Sequence, residues 1–244
     1  GNPQRAEQLG ALVQAARGCH DAAVAYGAHF ISGKDSLHNE YDDGSGHRVA
    51  IPPTLLISAL GIVPDVARAV TMDLKEPGNA LYLLGQTRRE LGASYLCRHL
   101  GLAGGSVPQP AAHGPVLARA LHAAIRAGWV RACHDVSEGG LAVAAAEMAL
   151  AGGLGLRLDL RQAPRDPEVD TDPVVLFAES SARYLVEVRP EHQAAFEAGL
   201  AGLPWGCIGR VEREPRLTAL GLGGEGVLDL PVADLRRAWK GDGG

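Results

Sequence analysis

Apolar residues recur at helical spacing over residues 4–26, where Leu9, Leu12, Val13, Ala16 and the run from Cys19 to Ala23 mark one face, and Gly27 stands ready as a left-handed C-terminal stop. Residues 29–32 read as a short strand, 33–36 as a polar turn, 37–41 as further extended chain and 42–46 as a loop tip of Asp, Ser and Gly. Pro52 and Pro53 force an extended backbone, and the Leu- and Ile-rich run 54–63 predicts a buried strand. Residues 66–73 read as a linker or exchange strand. The turn signal Pro77-Gly78 follows, so we place a boundary near Arg68, with one domain over residues 1–67 and a second over 68–244.

Beyond the boundary the pattern alternates more often. Strands are predicted at 80–84, 130–133, 156–160, 183–188, 208–211, 216–220 and 227–230. Helices are predicted at 90–100, 114–127, 193–199 and 231–239, with Pro231 preset for a first turn. A long Ala-rich helix ends at Gly152-Gly153, and residues 174–178 read either as a short helix or as an extended run. Residues 104–113 and 161–173 are Pro-bearing polar loops. Strands and helices mix without strict βαβ repetition, which points to an α+β fold rather than a doubly wound parallel sheet.

The Ala-rich helix follows the stretch His134-Asp135-Val136-Ser137-Glu138-Gly139-Gly140. Asp135 and Ser137 are placed here as helix N-terminal side-chain caps. Gly139 and Gly140 then fall in the first turn, where each costs roughly 1 kcal/mol against alanine. Either a phosphate group or a closely packed backbone needs the space they leave.

Composition narrows the function. Aromatics are only 5% of residues against 46% apolar overall, so Ala, Leu and Val must build the core. The net charge of -5 argues against a nucleic-acid binder that relies on phosphate neutralisation. The four cysteines, Cys19, Cys97, Cys133 and Cys207, show neither zinc-ligand nor disulfide-framework spacing, which suits a reducing cytoplasm. No apolar run reaches the roughly 20 residues of a membrane span. Neither a Walker P-loop nor a Gly-x-Gly-x-x-Gly fingerprint is present.

Two stretches carry candidate chemistry. Gly33, Lys34, Asp35 and Ser36 offer backbone approach, a cation, an acid and a hydroxyl in succession, the equipment of a phosphate-handling turn or of an exposed type I turn. Asp135 is the candidate ligand for a divalent cation, and Ser137, Gly139 and Gly140 are candidate phosphate contacts, with plain helix capping as the alternative. Glu179 and Arg183 could orient a polar ligand or pair with each other at a strand edge. None of the nine histidines pairs with another at ligand spacing, and no nucleophile set emerges, so no catalytic residue is assigned. Micromolar nucleotide binding needs about 8 kcal/mol. One helix end at about 0.3–1 kcal/mol and a few charge-assisted hydrogen bonds at roughly 1.5–3 kcal/mol each barely reach it after association costs, so Mg²⁺ is implied.

Residues 31–40 (ISGKDSLHNE), 51–54 (IPPT), 134–144 (HDVSEGGLAVA) and 176–180 (LFAES) together resemble, in order and at matching spacing, the second half of the phosphoribosylformylglycinamidine (FGAM) synthase family, within the aminoimidazole ribonucleotide synthetase-like superfamily. The resemblance implies the end of an N-terminal-type domain followed by a C-terminal-type α/β layered domain with a mixed sheet. It implies an ATP- and Mg²⁺-dependent ligase of purine biosynthesis acting on formylglycinamide ribonucleotide, or else a module holding an auxiliary ADP or ATP. It also implies a fragment inactive alone, whose partners are the missing first half and a glutaminase that supplies ammonia. Gly33, Lys34 and Ser36 match a Gly-(Asn or Lys)-x-Ser turn, with Lys34 where some members place a magnesium-binding Asn. Residues 179–183 match a substrate-binding Glu-Ser-Gln-Glu-Arg stretch but lack its Gln and second Glu.

Overall fold

The computed structural model describes residues 1–241, and the chain divides into two compact units, Gly1–Ile62 and a second that starts at Val63. In the first unit the helical periodicity forms α1 (Ala6–Tyr26), and Gly27 stops it at φ 66, where the chain turns left-handed. No residue of α1 is buried within the described chain. A hairpin follows, β1 (Glu40–Asp42) and β2 (Arg48–Ala50), with Tyr41 opposite Val49. Its tip is held by Asp42 and Asp43, whose carboxylates accept from the N–H groups of Gly44 and Ser45 at 2.9 Å.

The strands predicted at residues 29–32 and 54–63 do not form. Both runs lack regular structure, and Leu56 and Leu60 are 88% and 91% exposed. A strand needs a hydrogen-bonding neighbour as well as an apolar sequence. The apolar pattern signals burial, and no ladder partner for these runs exists among the described residues.

The second unit is a layered α+β domain. Its elements are β3 (Ala80–Leu84), α2 (Tyr95–His99), α3 (Gly114–Arg126), β4 (Val130–Asp135), α4 (Gly140–Gly152), β5 (Gly155–Asp159), α5 (Asp172–Phe177), β6 (Tyr184–Val188), α6 (Gln193–Gly199), β7 (Trp205–Glu212), β8 (Arg216–Leu220), β9 (Gly226–Pro231) and α7 (Val232–Lys240). The seven strands lie in the order β4-β6-β3-β7-β5-β8-β9. β5 and β8 run parallel and every other neighbouring pair antiparallel, so the sheet is mixed. The helix predicted over 90–100 shrinks to α2, because Ser94 caps it and Gly92 donates instead to Ser106 O at 2.8 Å. Of the two readings left open for 174–178, the helix forms, as α5.

The Ala-Leu-Tyr-Leu-Leu run of β3 is buried at every position, as a strand covered on both faces must be. Leu81 and Leu83 join Leu141, Ala145 and Met148 of α4 on one face. Tyr82 and Leu84 join Leu117, Leu121 and Phe196 on the other, with Tyr82 and Phe196 edge to face at 5.0 Å between centroids. α4 is apolar around most of its girth, which suits a helix in the core. Its small residues permit close approach, and a Cβ on Gly152 would meet the Leu74 backbone at 2.6 Å.

One fully buried acid ties the sheet to the incoming chain. Glu187 of β6 accepts from the N–H groups of Lys75 at 2.9 Å and Glu76 at 3.1 Å, and from Asn79 Nδ2. Glu187→Ala strands three donors, that of Asn79 fully buried, and is expected to cost about 2 kcal/mol. Urea unfolding checks this, and a change under 0.5 kcal/mol would contradict it.

Candidate functional site

Lys34, Asp35 and Ser36 lie in the first unit on an exposed, irregular segment. The Lys34 ammonium folds back on its own turn, donating to Asp35 O at 2.7 Å and to Ser36 Oγ at 2.8 Å. An ammonium has three donors, so one stays free. The turn borders a cavity of about 410 Å³, lined by Asn2, Gln8, Lys34, Asp35, Ser36 and Asn39 among others. Nothing lies within 4 Å of where a Gly33 side chain would start, so the backbone there is open to approach.

Asp135 and Ser137 lie in the second unit, and neither caps the helix. Asp135 is the last residue of β4, and α4 begins at Gly140 with Gly139 as N-cap and no side-chain cap of its own. The reason is the burial of Val136, which sends the residues on either side of it, Asp135 and Ser137, to the surface. Capping comes from far along the chain instead. Glu179 Oε1 accepts from Gly139 N at 2.8 Å and also from Tyr95 N at 2.9 Å, so one carboxylate oxygen closes the starts of two helices. The two glycines are thereby explained by backbone geometry. Both have positive φ, 78 for Gly139 and 67 for Gly140. A Cβ on Gly140 would lie 2.7 Å from the carbonyl oxygens of both Leu176 and Ala178.

The strand-edge pairing of Glu179 with Arg183 does not form, and Arg183 is buried. Arg183 donates to Ser180 O at 3.1 Å, to Thr87 Oγ1 at 3.0 Å and to Ala178 O. Burial lowers its pKa to about 10, against the opposing pull of Glu90 and Glu179. The sequence signal for a buried Arg was slight: a charged residue directly before an apolar strand.

His134 lies between two acids, its Nε2 2.9 Å from Glu147 Oε2 and its Nδ1 3.3 Å from Asp135 Oδ1. Its role escapes sequence reasoning because Glu147 is thirteen residues away on α4. Neighbouring Cys133 is no nucleophile: burial, helped by the Asp135 charge, pushes its thiol up to about 12. Among the described residues no group of three or more His, Cys, Asp or Glu side chains could hold a metal. A lone, exposed, hard-oxygen donor such as Asp135 still fits Mg²⁺, which takes one or two carboxylates from a protein and the rest from phosphates and water.

The family profile described as "AIR synthase related protein, C-terminal domain" matches residues 76–221. The chain belongs to the AIR synthase-related family. The matched span runs from the approach to β3 to the end of β8 and holds Asp135, Ser137, Gly139, Gly140, Glu179 and Arg183, whereas Gly33, Lys34, Asp35 and Ser36 lie outside it. Among curated relatives the chain is 37% identical to "Phosphoribosylformylglycinamidine synthase subunit PurL" of Deinococcus radiodurans, over 98% of this chain and 32% of that protein. The chain therefore spans about a third of the relative's length. Solved structures of similar fold include "T. maritima PurL complexed with FGAR", with TM-score 0.60 and 21% identity over 70% of this chain and 30% of that one. "T. maritima PurL complexed with ATP" is similar at TM-score 0.58 and 22% identity, over 70% of this chain and 27% of that one. No helix of the described residues is long and apolar enough to cross a membrane.

Proposed function

We propose that this chain is part of the synthetase component of FGAM synthase and contributes to an ATP site, working in the cytoplasm with a first half and a glutaminase as partners. The observation that carries the reading is the 37% identity with a PurL protein along 98% of the chain. The proposed reaction converts formylglycinamide ribonucleotide, ATP and glutamine to FGAM, ADP, phosphate and glutamate. ATP phosphorylates the amide oxygen, and ammonia from glutamine displaces the phosphate. Such phosphoryl transfer depends on positioning and charge neutralisation more than on covalent chemistry by the protein.

In this reading the free donor of Lys34 and the Ser36 hydroxyl bind phosphate oxygens, Asp35 shapes the turn, and Gly33 lets the ligand approach. In the second unit, taken by itself, Ser137 is the phosphate contact, and Gly139 and Gly140 shape the turn that presents it. Asp135 would hold Mg²⁺, which supplies charge neutralisation for the phosphates when bound. Lys34 cannot take the ligand role of an Asn, but its ammonium can offset phosphate charge at its own turn.

A second reading, an auxiliary nucleotide-holding module without turnover, is favoured by one observation. Glu179 and Arg183 are committed to helix ends and buried carbonyls, so the stretch that would bind substrate is occupied with structure. Ser36→Ala and Asp135→Asn are each expected to weaken Mg²⁺–nucleotide binding about tenfold, the loss of one charge-assisted contact. Calorimetry measures this, and unchanged affinity in both variants would sink the site assignment. Nucleotide that stays bound through turnover would favour the auxiliary role.

A further inference from the structure

We propose that α2 and the loop after it form a docking face for an acidic protein segment, one that carries apolar side chains among its carboxylates. The face begins with exposed apolar area. Tyr95, Leu100, Leu102 and Val107 are 50–59% exposed. One such side chain is ordinary on a protein surface, but four within thirteen residues make a patch of the kind that marks an interaction site. The backbone holds them together. Leu100 N donates to Leu96 O at 3.0 Å and Leu102 N to Cys97 O at 2.8 Å, so the residues after α2 fold back on it. Gly92 N donates to Ser106 O at 2.8 Å, which returns Val107 toward the start of the same helix. Gln109 pins the end of the loop, its N–H donating to Glu90 Oε1 at 2.9 Å and its carbonyl accepting from Ser181 Oγ at 2.6 Å.

Charge identifies the occupant. Residues 91–134 contain four arginines and no Asp, Glu or Lys, so the chain's net charge of -5 arises wholly outside this stretch. Arginines elsewhere in the second unit are mostly satisfied: Arg89 holds Asp170, Arg161 holds Asp159 and Arg237 holds Asp234. Within the stretch, Arg131 is taken by Glu76. Arg98 of α2, and Arg119 and Arg126 on the exposed side of α3, have no ion pair among the described residues. Glu179 reaches α2, but its Oε1 is engaged by the N–H groups of Tyr95 and Gly139. Tyr and Arg are enriched at protein–protein interfaces, and an acid-free cationic surface selects a partner of opposite charge. A nucleic acid would use the arginines and leave the leucines in water. An anionic bilayer is held by clusters of about 4–8 Lys or Arg, and α2 with its loop carries Arg98 alone. A protein segment satisfies both the apolar patch and the guanidinium.

The test is fluorescence anisotropy with the full chain and a labelled synthetic helix that has leucine on one face and glutamate on the other. The salt is set at about 0.15 M, where exposed charges more than about 8 Å apart are largely screened. The glutamate helix is expected to bind, and the same helix with lysine in place of glutamate is not. Arg98→Glu is expected to raise the Kd about tenfold, the loss of one charge-assisted contact, and Leu100→Ser with Leu102→Ser to raise it at least as much. Arg213→Glu makes the same change in net charge at an exposed position outside the acid-free stretch, and is expected to leave the Kd within about twofold. All of these are surface positions, so melting temperatures should stay close to wild type, and Arg98→Glu remains readable if the leucine variant melts early. Absent binding of the glutamate helix, equal binding of the lysine helix, or equal losses in Arg98→Glu and Arg213→Glu would overturn the proposal. Tighter binding of phosphatidylserine vesicles or of a single-stranded DNA, lost in Arg98→Glu, would overturn it too, since the occupant would then be a lipid surface or a nucleic acid.

Discussion

Arg183→Ala is expected to destabilise the second unit by about 3–5 kcal/mol, the range for removing one partner of a buried charged network. That is a large share of the roughly 5–15 kcal/mol that holds a typical protein folded. Arg183 is 1% exposed and among the largest fully buried side chains. Its guanidinium satisfies Ser180 O, Thr87 Oγ1 and Ala178 O at once, and the neighbouring negative charges of Glu90 and Glu179 favour its cationic form. Alanine leaves three buried acceptors without a donor and a cavity the size of the lost side chain. Arg183→Lys should recover only part of the loss, since one ammonium cannot reproduce the planar fork that reaches three acceptors. Urea unfolding followed by the fluorescence of Trp129 and Trp205, both packed against the core of this unit, gives the measurement. A midpoint that falls with an unchanged slope is the expected result. A loss below 1 kcal/mol in Arg183→Ala would show that the network is not what holds this region.

The uneven legibility of the chain follows from the range of its interactions. Local signals were sound where the physics is local: the stop at Gly27 and the apolar run of β3 each encode their outcome within a few residues. The strand predicted over 54–63 failed because a ladder partner is a property of other segments. The turn at 135–140 was located correctly but misassigned in detail. Ser and Asp near a helix start are the usual sign of an N-cap, yet the cap is Glu179, forty residues on, and no local pattern announces it. The network of Glu147, His134 and Asp135 was hidden for the same reason. The two glycines posed the right question, and one of the two answers on offer, a closely packed backbone, accounts for Gly140 without any ligand.

Gly140→Ala is expected to cost about 3 kcal/mol, the sum of a left-handed backbone penalty near 1–2 kcal/mol and overpacking of about 1–3 kcal/mol. Gly140 sits at φ 67, and an added Cβ would meet Leu176 O and Ala178 O at 2.7 Å and Phe177 C at 2.9 Å. These are backbone atoms at the end of α5, and Ala178 O is further pinned by Arg183, so they cannot step aside. Gly139→Ala is the control. It also has positive φ, but the atoms its Cβ would meet first belong to the side chain of Val143, the nearest at 2.3 Å. Pairing it with Val143→Ala removes the contacts with the two methyl groups and leaves the Val143 Cβ at 2.8 Å, a smaller steric cost beside the backbone penalty of about 1–2 kcal/mol. For a domain of this size 3 kcal/mol corresponds to a fall in Tm of roughly 6–12 °C, readable by calorimetric melting. Because Gly139 N is held by Glu179, pushing α4 away from Ala178 must also loosen that cap, and with it the turn that carries Asp135 and Ser137. If the turn binds nucleotide as proposed, affinity falls further in Gly140→Ala than in the Gly139→Ala, Val143→Ala pair. Equal melting temperatures for the two would mean that α4 can shift freely over the end of α5, and the close backbone contact would then not be the reason for glycine at this position.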